Sequence, residues 1–85
     1  MTRFVAGWNM PGYLPEMEPA VFDHLGDAIA FLIDEINRIA DEAWDSREFV
    51  HHCDEVIYEL EGATDLEGSV ELHDKNLVFW WQVEE

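Results

Sequence analysis

A run of seven residues at 77–83 constrains this chain most, because every position but one is β-branched, aromatic or aliphatic. Such residues suit a pleated strand, and seven are too few for an independent helix. Side chains alternate across a strand, so bulky apolar groups lie on both faces. We therefore predict a central strand with helices on one face and a loop, a second protomer or a partner on the other. The first face carries Leu77, Phe79, Trp81 and Val83, and the second carries Val78, Trp80 and Gln82.

The N-terminal part of the sequence predicts two further strands separated by a loop. Alternating apolar residues indicate a strand at 3–8, in which Gly7 is typical of a bulge or a close backbone approach. Residues 9–19 contain three prolines and a Pro-Gly turn signal, which predicts a fixed loop. Its apolar side chains are expected to fold over the second sheet face and shield part of Trp80. A short strand at 20–22 follows, and the proline before it restricts it to a sheet edge.

Two amphipathic helices are predicted in the middle of the sequence. The first begins after Asp23 or His24 and runs through about Trp44, with apolar residues spaced three and four apart. Ser46 is placed to cap the second helix and Gly62 to end it. The predicted buried positions are Leu25, Ala28, Ile29, Leu32, Ile36, Ile39, Ala40 and Ala43 in the first helix and Phe49, Val50, Cys53, Val56, Ile57 and Leu60 in the second.

The last predicted strands form a hairpin. A strand at 69–73 and a turn at 74–76 precede the apolar run, which gives the element order ββααββ in one 85-residue domain. If each connection reverses the chain, the first and last strands become antiparallel neighbours in the middle of one sheet. The predicted fold is therefore α+β, with strand order 2-1-4-3 and both helices on one face. A three-stranded sheet without residues 20–22 is the alternative.

The charge balance restricts the classes of partner. Twenty Asp and Glu residues against four Lys and Arg give a net charge of −16. Direct nucleic-acid binding is disfavoured because the basic residues are scattered and form no patch that could neutralise phosphates. An anionic membrane surface would repel the chain as well. A basic protein is the natural partner, since the electrostatic field would accelerate and orient such an encounter.

Helical periodicity collects the acidic residues into stripes. Partner-binding candidates on the first helix are Asp27, Asp34 and Asp41, with Glu35 and Glu42 beside them. On the second helix they are Glu48, Glu55 and Glu59, with Asp54 and Glu61 to one side. A solvated helical face is one interpretation, but an ordinary surface mixes both signs of charge. The other is a protein-binding surface, in its most specific form a decoy for the phosphate backbone of nucleic acid.

Catalytic and metal sites are poorly supported by the sequence. His51 and Glu55 have the i, i+4 spacing of a helical metal pair, but Cys53 is expected to face the core and no second ligand cluster is present. A surface ion pair between His51 and Glu55 is the preferred interpretation. No nucleophile elbow, phosphate loop or dinucleotide fingerprint is found. We therefore expect a protein that is not an enzyme and holds neither metal nor cofactor.

The four tryptophans divide into core and contact candidates. Trp8 and Trp81 are expected in the core. Trp44, at the end of the first helix, and Trp80, on the second sheet face, are candidate partner contacts because exposed tryptophan often anchors interfaces. An acidic rim around such an anchor would suit a protein-binding site.

The cellular compartment is predicted from what the sequence lacks. Cys53 is the only cysteine, so no intrachain disulfide can form and nothing indicates an oxidising compartment. The first residues contain no apolar run typical of a signal peptide, and no segment approaches a membrane span. The expected location is the cytoplasm.

One segment resembles a known group of proteins. Residues 8–19, Trp-Asn-Met-Pro-Gly-Tyr-Leu-Pro-Glu-Met-Glu-Pro, are followed by Phe22-Asp23 and a helix beginning near Asp27. This arrangement is similar to small acidic proteins encoded by bacteriophages and prophages, and the Pro-Gly-Tyr-Leu-Pro loop is its distinctive part. The group carries mostly unassigned functions, so it implies no functional residue. In size and charge it resembles anti-CRISPR and anti-restriction proteins, which implies a role inside a bacterial host.

Two hypotheses of function follow. In the first, the protein inhibits a host defence nuclease or effector complex by occupying its nucleic-acid-binding surface with carboxylates, with Trp44 or Trp80 as anchor. Binding would then weaken with salt and be competed by DNA. In the second, the protein is a phage accessory or regulatory module that binds a phage protein, or itself as a homodimer, through the aromatic sheet face. That interface would tolerate salt.

Overall fold

The computed structural model describes residues 2–10, 19–43, 45–72 and 76–84. It contains one four-stranded sheet and two helices in the order ββααββ, so the predicted α+β fold is confirmed. The elements are β1 (Arg3–Asn9), β2 (Ala20–Phe22), α1 (Leu25–Glu42), α2 (Arg47–Glu61), β3 (Gly68–Leu72) and β4 (Leu77–Glu84).

The sheet has the predicted order β2-β1-β4-β3, with every neighbouring pair antiparallel. β1 and β4 pair without interruption from Arg3 opposite Glu84 to Asn9 opposite Val78. β4 therefore has a partner strand on each side, which explains why it is the most apolar strand in the sequence. β2 pairs with β1 at the sheet edge, which confirms the four-stranded arrangement over the three-stranded one.

The core lies between the helices and one face of the sheet. α1 packs over β1, β2 and β4, whereas α2 packs against α1 and β3. The buried apolar side chains of this core are Phe4, Ala6, Ala28, Ile29, Leu32, Ile36, Ala40, Phe49, Cys53, Val56, Leu60, Leu72, Phe79 and Trp81, and Val5 is buried on the opposite sheet face. The predicted burial of Cys53 and Trp81 is confirmed. Five helix positions predicted to be buried are instead half-buried: Leu25, Ile39, Ala43, Val50 and Ile57. Trp8 is half-buried, and its ring centroid lies 5.5 Å from that of Phe31 and 6.1 Å from that of Phe79.

Two glycines accommodate the two adjacent tryptophans of β4. A Cβ added to Gly7 would lie 2.9 Å from Cζ2 of Trp80, and one added to Gly68 would lie 2.7 Å from Cζ2 of Trp81. Each glycine is the cross-strand partner of the tryptophan that covers it. The expected close approach at Gly7 is thus made by an indole ring. The alternative of a bulge is wrong, because the β1–β4 register continues through Gly7.

The ends of several elements differ from the predicted ones. α1 ends at Glu42, slightly earlier than predicted. Ser46 occupies the N-cap of α2 without a capping side-chain hydrogen bond, and Gly62 ends the helix with φ −89°, so it does not adopt the left-handed conformation that favours glycine there. Asn76, before β4, has φ 51°, a conformation that asparagine tolerates in turns.

Some predictions fall outside the described residues. The expected cover of the second sheet face by the proline-rich loop concerns mainly residues 11–18; of its apolar side chains, Met10 is described and is 50% exposed. The turn at 74–76 is described only at Asn76. The structural role of Trp44 likewise lies outside them.

Candidate protein-binding surface

The helices carry half of the net charge of the chain. α1 and α2 contain ten carboxylates and two arginines, which leaves a net charge of −8 on the helical layer. Nine of the ten carboxylate residues are exposed. The ten are Asp27, Asp34, Glu35, Asp41, Glu42, Glu48, Asp54, Glu55, Glu59 and Glu61. The predicted acidic candidates thus lie on one layer of the molecule.

The α1 stripe consists of Asp27, Asp34 and Asp41, all exposed. Seven residues of helix advance about 10 Å, which corresponds to about three steps along one strand of duplex DNA. The stripe alone therefore has a lower charge density than a phosphate backbone. Flanking carboxylates and those of α2 are needed to approach it.

Glu35 and Glu42 form a network with Arg38. Nε of Arg38 donates a hydrogen bond to Oε1 of Glu35 at 3.0 Å, and its Nη1 donates to Oε1 of Glu42 at 3.1 Å. The hydrogen bond to Glu35 and the charge of both carboxylates raise the pKa of Arg38. Glu35 is only 15% exposed at its side chain, whereas Glu42 is 68% exposed. Glu42 is thus the more accessible of the two for a partner.

The α2 carboxylates occupy a different setting. Glu55 and Glu59 line a groove of about 450 Å³ between α2 and β3, together with His52 and Val56 on the helix. The β3 side of the groove is formed by residues 69–71. The sequence predicted that Glu55 and Glu59 lie on an outward face of α2. It could not predict that β3 lies beside that face. Glu48 is exposed and does not line the groove.

His51 and Glu55 form the contact that their spacing predicted. Nε2 of His51 lies 3.2 Å from Oε1 of Glu55, and both side chains are exposed. The contact is an ion pair when His51 is protonated. Within the described ranges, no group of three or more His, Cys, Asp or Glu side chains is arranged to hold a metal ion.

The aromatic candidates have unequal access to a partner. Trp80 is half-buried, its ring lies against Gly7, and its Nε1 donates a hydrogen bond to Oδ1 of Asn9 at 2.9 Å. One ring face and the indole N–H are therefore engaged within the sheet. Trp80 also lies on the sheet face opposite the helices, so the structure does not bring it together with the helical carboxylates predicted to surround it. Tyr58 on α2 is 79% exposed and was missed by the sequence analysis. Tyr58 lies four residues after Asp54, which places both on the acidic side of α2. Helical projection could therefore have identified Tyr58 as a candidate partner contact.

Comparisons with protein-family models, curated proteins and solved structures find no match to the chain. Neither helix in the described part of the chain is long and apolar enough to cross a bilayer.

Proposed function

We propose that this protein is a non-enzymatic inhibitor that binds a basic, nucleic-acid-binding defence protein inside a bacterial cell. The observation that carries the proposal is the charge of the helical layer, with ten carboxylates against two arginines. A surface serving only solubility would mix the two signs of charge. Such a one-sided field favours encounter with a basic surface and repels nucleic acid.

The density of the carboxylates supports a phosphate decoy as the form of inhibition. α1 has 18 residues and is therefore about 27 Å long. With the two arginines subtracted, eight net negative charges on a helical layer of that length correspond to about one per 3.4 Å, against about one per 1.7 Å of duplex axis. The two densities agree within a factor of about two. A DNA-binding groove would thus meet a negatively charged helical layer that is about half as dense in charge as duplex DNA.

An origin in a bacteriophage or prophage belongs to the same proposal. It is supported by the resemblance of residues 8–19 to small acidic phage proteins, and by the small size and charge of the chain. The cytoplasm of the bacterial host would be the place of action.

The first experiment is a pull-down with the tagged protein from a bacterial lysate with active CRISPR and restriction systems. It is repeated with added duplex DNA, and the captured effector is then purified for affinity measurements. We expect DNA to displace the effector, and the affinity to fall steeply between about 50 and about 200 mM salt. Capture of no basic protein would contradict the proposal.

A charge-reversal variant locates the surface. Replacing Asp27, Asp34 and Asp41 by Lys is expected to weaken effector binding at least about tenfold, because three attractive contacts become repulsive. The matched control replaces Asp45, Glu67 and Glu84 by Lys. These residues are exposed, lie outside both helices and change the net charge equally. Equal weakening by both variants would assign the effect to overall charge and exclude a helical binding surface.

The alternative function predicts the opposite salt dependence. If the protein instead bound a phage protein or itself through the second sheet face, the complex would persist in high salt and DNA would not compete. Sedimentation of the isolated protein at low and high salt distinguishes the two. A salt-resistant dimer would favour the aromatic surface.

A further inference from the structure

We propose that the groove between α2 and β3 binds an extended, lysine- or arginine-containing segment of the partner, which adds as a fifth strand to the edge of β3. The inference specifies how the partner of the proposed function would bind. It rests on the proposed function in one respect, that the partner is basic.

The groove follows a strand edge. Three consecutive β3 residues, Ser69, Val70 and Glu71, all line it. Val70 faces the helices together with its partner Phe79, and the groove also reaches the residues on either side of Val70, so it runs along this strand. β3 is the terminal strand of the sheet and pairs only with β4 in the described part of the chain.

The two edges of the sheet differ in their capacity to accept another strand. β2 spans three residues and is preceded by Pro19, which has no backbone N–H to donate. β3 spans five residues, Gly68–Leu72, and contains no proline. In an antiparallel edge strand, alternate residues direct their backbone N–H and C=O groups away from the sheet. β3 therefore offers the longer template for strand addition.

The chemistry of the groove specifies its occupant. Glu55 and Glu59 contribute negative charge from the helix, while Val56 and Val70 supply apolar surface. Side chains of an added strand alternate between the two sheet faces, so a segment with alternating basic and β-branched residues would direct all its cations to the helix side. There their charged ends would meet the glutamates and their aliphatic stems would lie against Val56 and Val70, while the β-branched side chains would face the other way. A second copy of this chain is disfavoured as occupant, because pairing two β3 edges would bring two sets of these glutamates together.

Peptide titrations on the wild-type protein test the inference directly. The probe is a blocked peptide of about seven residues that alternates lysine and valine, long enough to span β3. In an amide-resolved NMR titration, we expect shifts concentrated in residues 52–59 and 68–72, together with slower hydrogen exchange of β3 amides. A glutamate–valine peptide should not bind. A lysine–valine peptide N-methylated at alternate positions should bind at least about tenfold more weakly, because it cannot complete a backbone ladder.

Two side-chain variants test the charge of the groove. Replacing Glu55 and Glu59 by Gln is expected to weaken binding of the lysine–valine peptide about fivefold, as for loss of two partly exposed ion pairs. The control replaces Asp54 by Asn and Glu61 by Gln on the same helix. Both residues are exposed and do not line the groove. An equal effect of the two variants would overturn the inference.

The peptide results also separate this inference from the proposed function. Binding that ignores N-methylation, or shifts that spread along the α1 stripe, would overturn strand addition while leaving a charged decoy intact. Binding at β3 without capture of any effector would support the groove and contradict the proposed inhibitor.

Discussion

The two faces of the sheet differ in how they bury equally apolar residues. On the helix-covered face, Phe79 and Trp81 of β4 are buried by α1, α2 and their neighbours. On the opposite face, Val5 of β1 is buried, but Val78 and Trp80 of β4 are half-buried and Val21 of β2 is 52% exposed. The helices cover the first face, whereas on the second the Trp80 ring lies against Gly7. Alternation in the strand thus reports which side chains share a face but not how deeply that face is covered.

The largest difference between the faces should appear on truncation of β4 side chains. Phe79→Ala is expected to lower the free energy of unfolding by about 3–5 kcal/mol, because it leaves a cavity in a fully buried site. Val78→Ala, on the half-buried face, should cost about 1 kcal/mol or less. Urea unfolding followed by circular dichroism provides both values. Equal costs would mean that the second face is as tightly packed as the first.

The paired glycines sharpen the comparison. Gly68→Ala would place a Cβ 2.7 Å from the buried ring of Trp81, and we expect a cost of about 1–3 kcal/mol from overpacking. Gly7→Ala meets the Trp80 ring at 2.9 Å, but that ring is half-exposed and can shift outward. Its cost should be within about 1 kcal/mol, since alanine also favours a strand over glycine. Thermal unfolding of the two variants would refute this if Gly7→Ala were the more harmful.

The smallest difference in stability is expected from substitutions at the two residues that accept hydrogen bonds from the indole N–H groups. Trp80 donates its N–H to the side chain of Asn9, whereas Trp81 donates to the backbone oxygen of Asp65 at 3.0 Å. Asn9→Ala should therefore cost about 1 kcal/mol and change the tryptophan fluorescence. Asp65→Ala keeps the backbone acceptor and serves as the control, with an expected cost of about 0.5 kcal/mol or less. A larger loss in Asp65→Ala would contradict the assigned role of Asn9.

The fold could be predicted because each element has a strong periodic signal. The alternation in 77–83 and the three-and-four spacing from Leu25 to Ala43 specify which residues are buried, and reversals between elements then leave few topologies. The sequence also marked Gly7 as a site of close approach. It did not indicate Gly68, because the covering ring of Trp81 comes from a position distant in sequence that only the strand register brings opposite.

The candidate surface was predictable only within each helix. Projection of the sequence onto a helix correctly predicted that the α1 stripe is exposed. It gives no information on which helices or strands pack beside a stripe. The groove formed by Glu55 and Glu59 with Glu71 depends on packing of α2 against β3, which no local pattern encodes. Similarly, the burial of the Glu35 side chain depends on its surroundings as well as on its position along α1. A binding surface formed by residues from more than one helix or strand could therefore be identified only from the three-dimensional structure.

The pairing of β1 with β4 has a consequence for how the chain reaches its folded state. The central strands of the sheet are the first and last elements in sequence, with Arg3 opposite Glu84. Local contacts can form α1 and α2 early, but their apolar stripes lack most of their packing surface until β4 docks. This topology has a high contact order, and loop closure between distant segments should limit the folding rate. Before that step, a nascent chain would expose the apolar helix faces and the strand at 77–83 together, so the dense negative charge would act first as protection against aggregation.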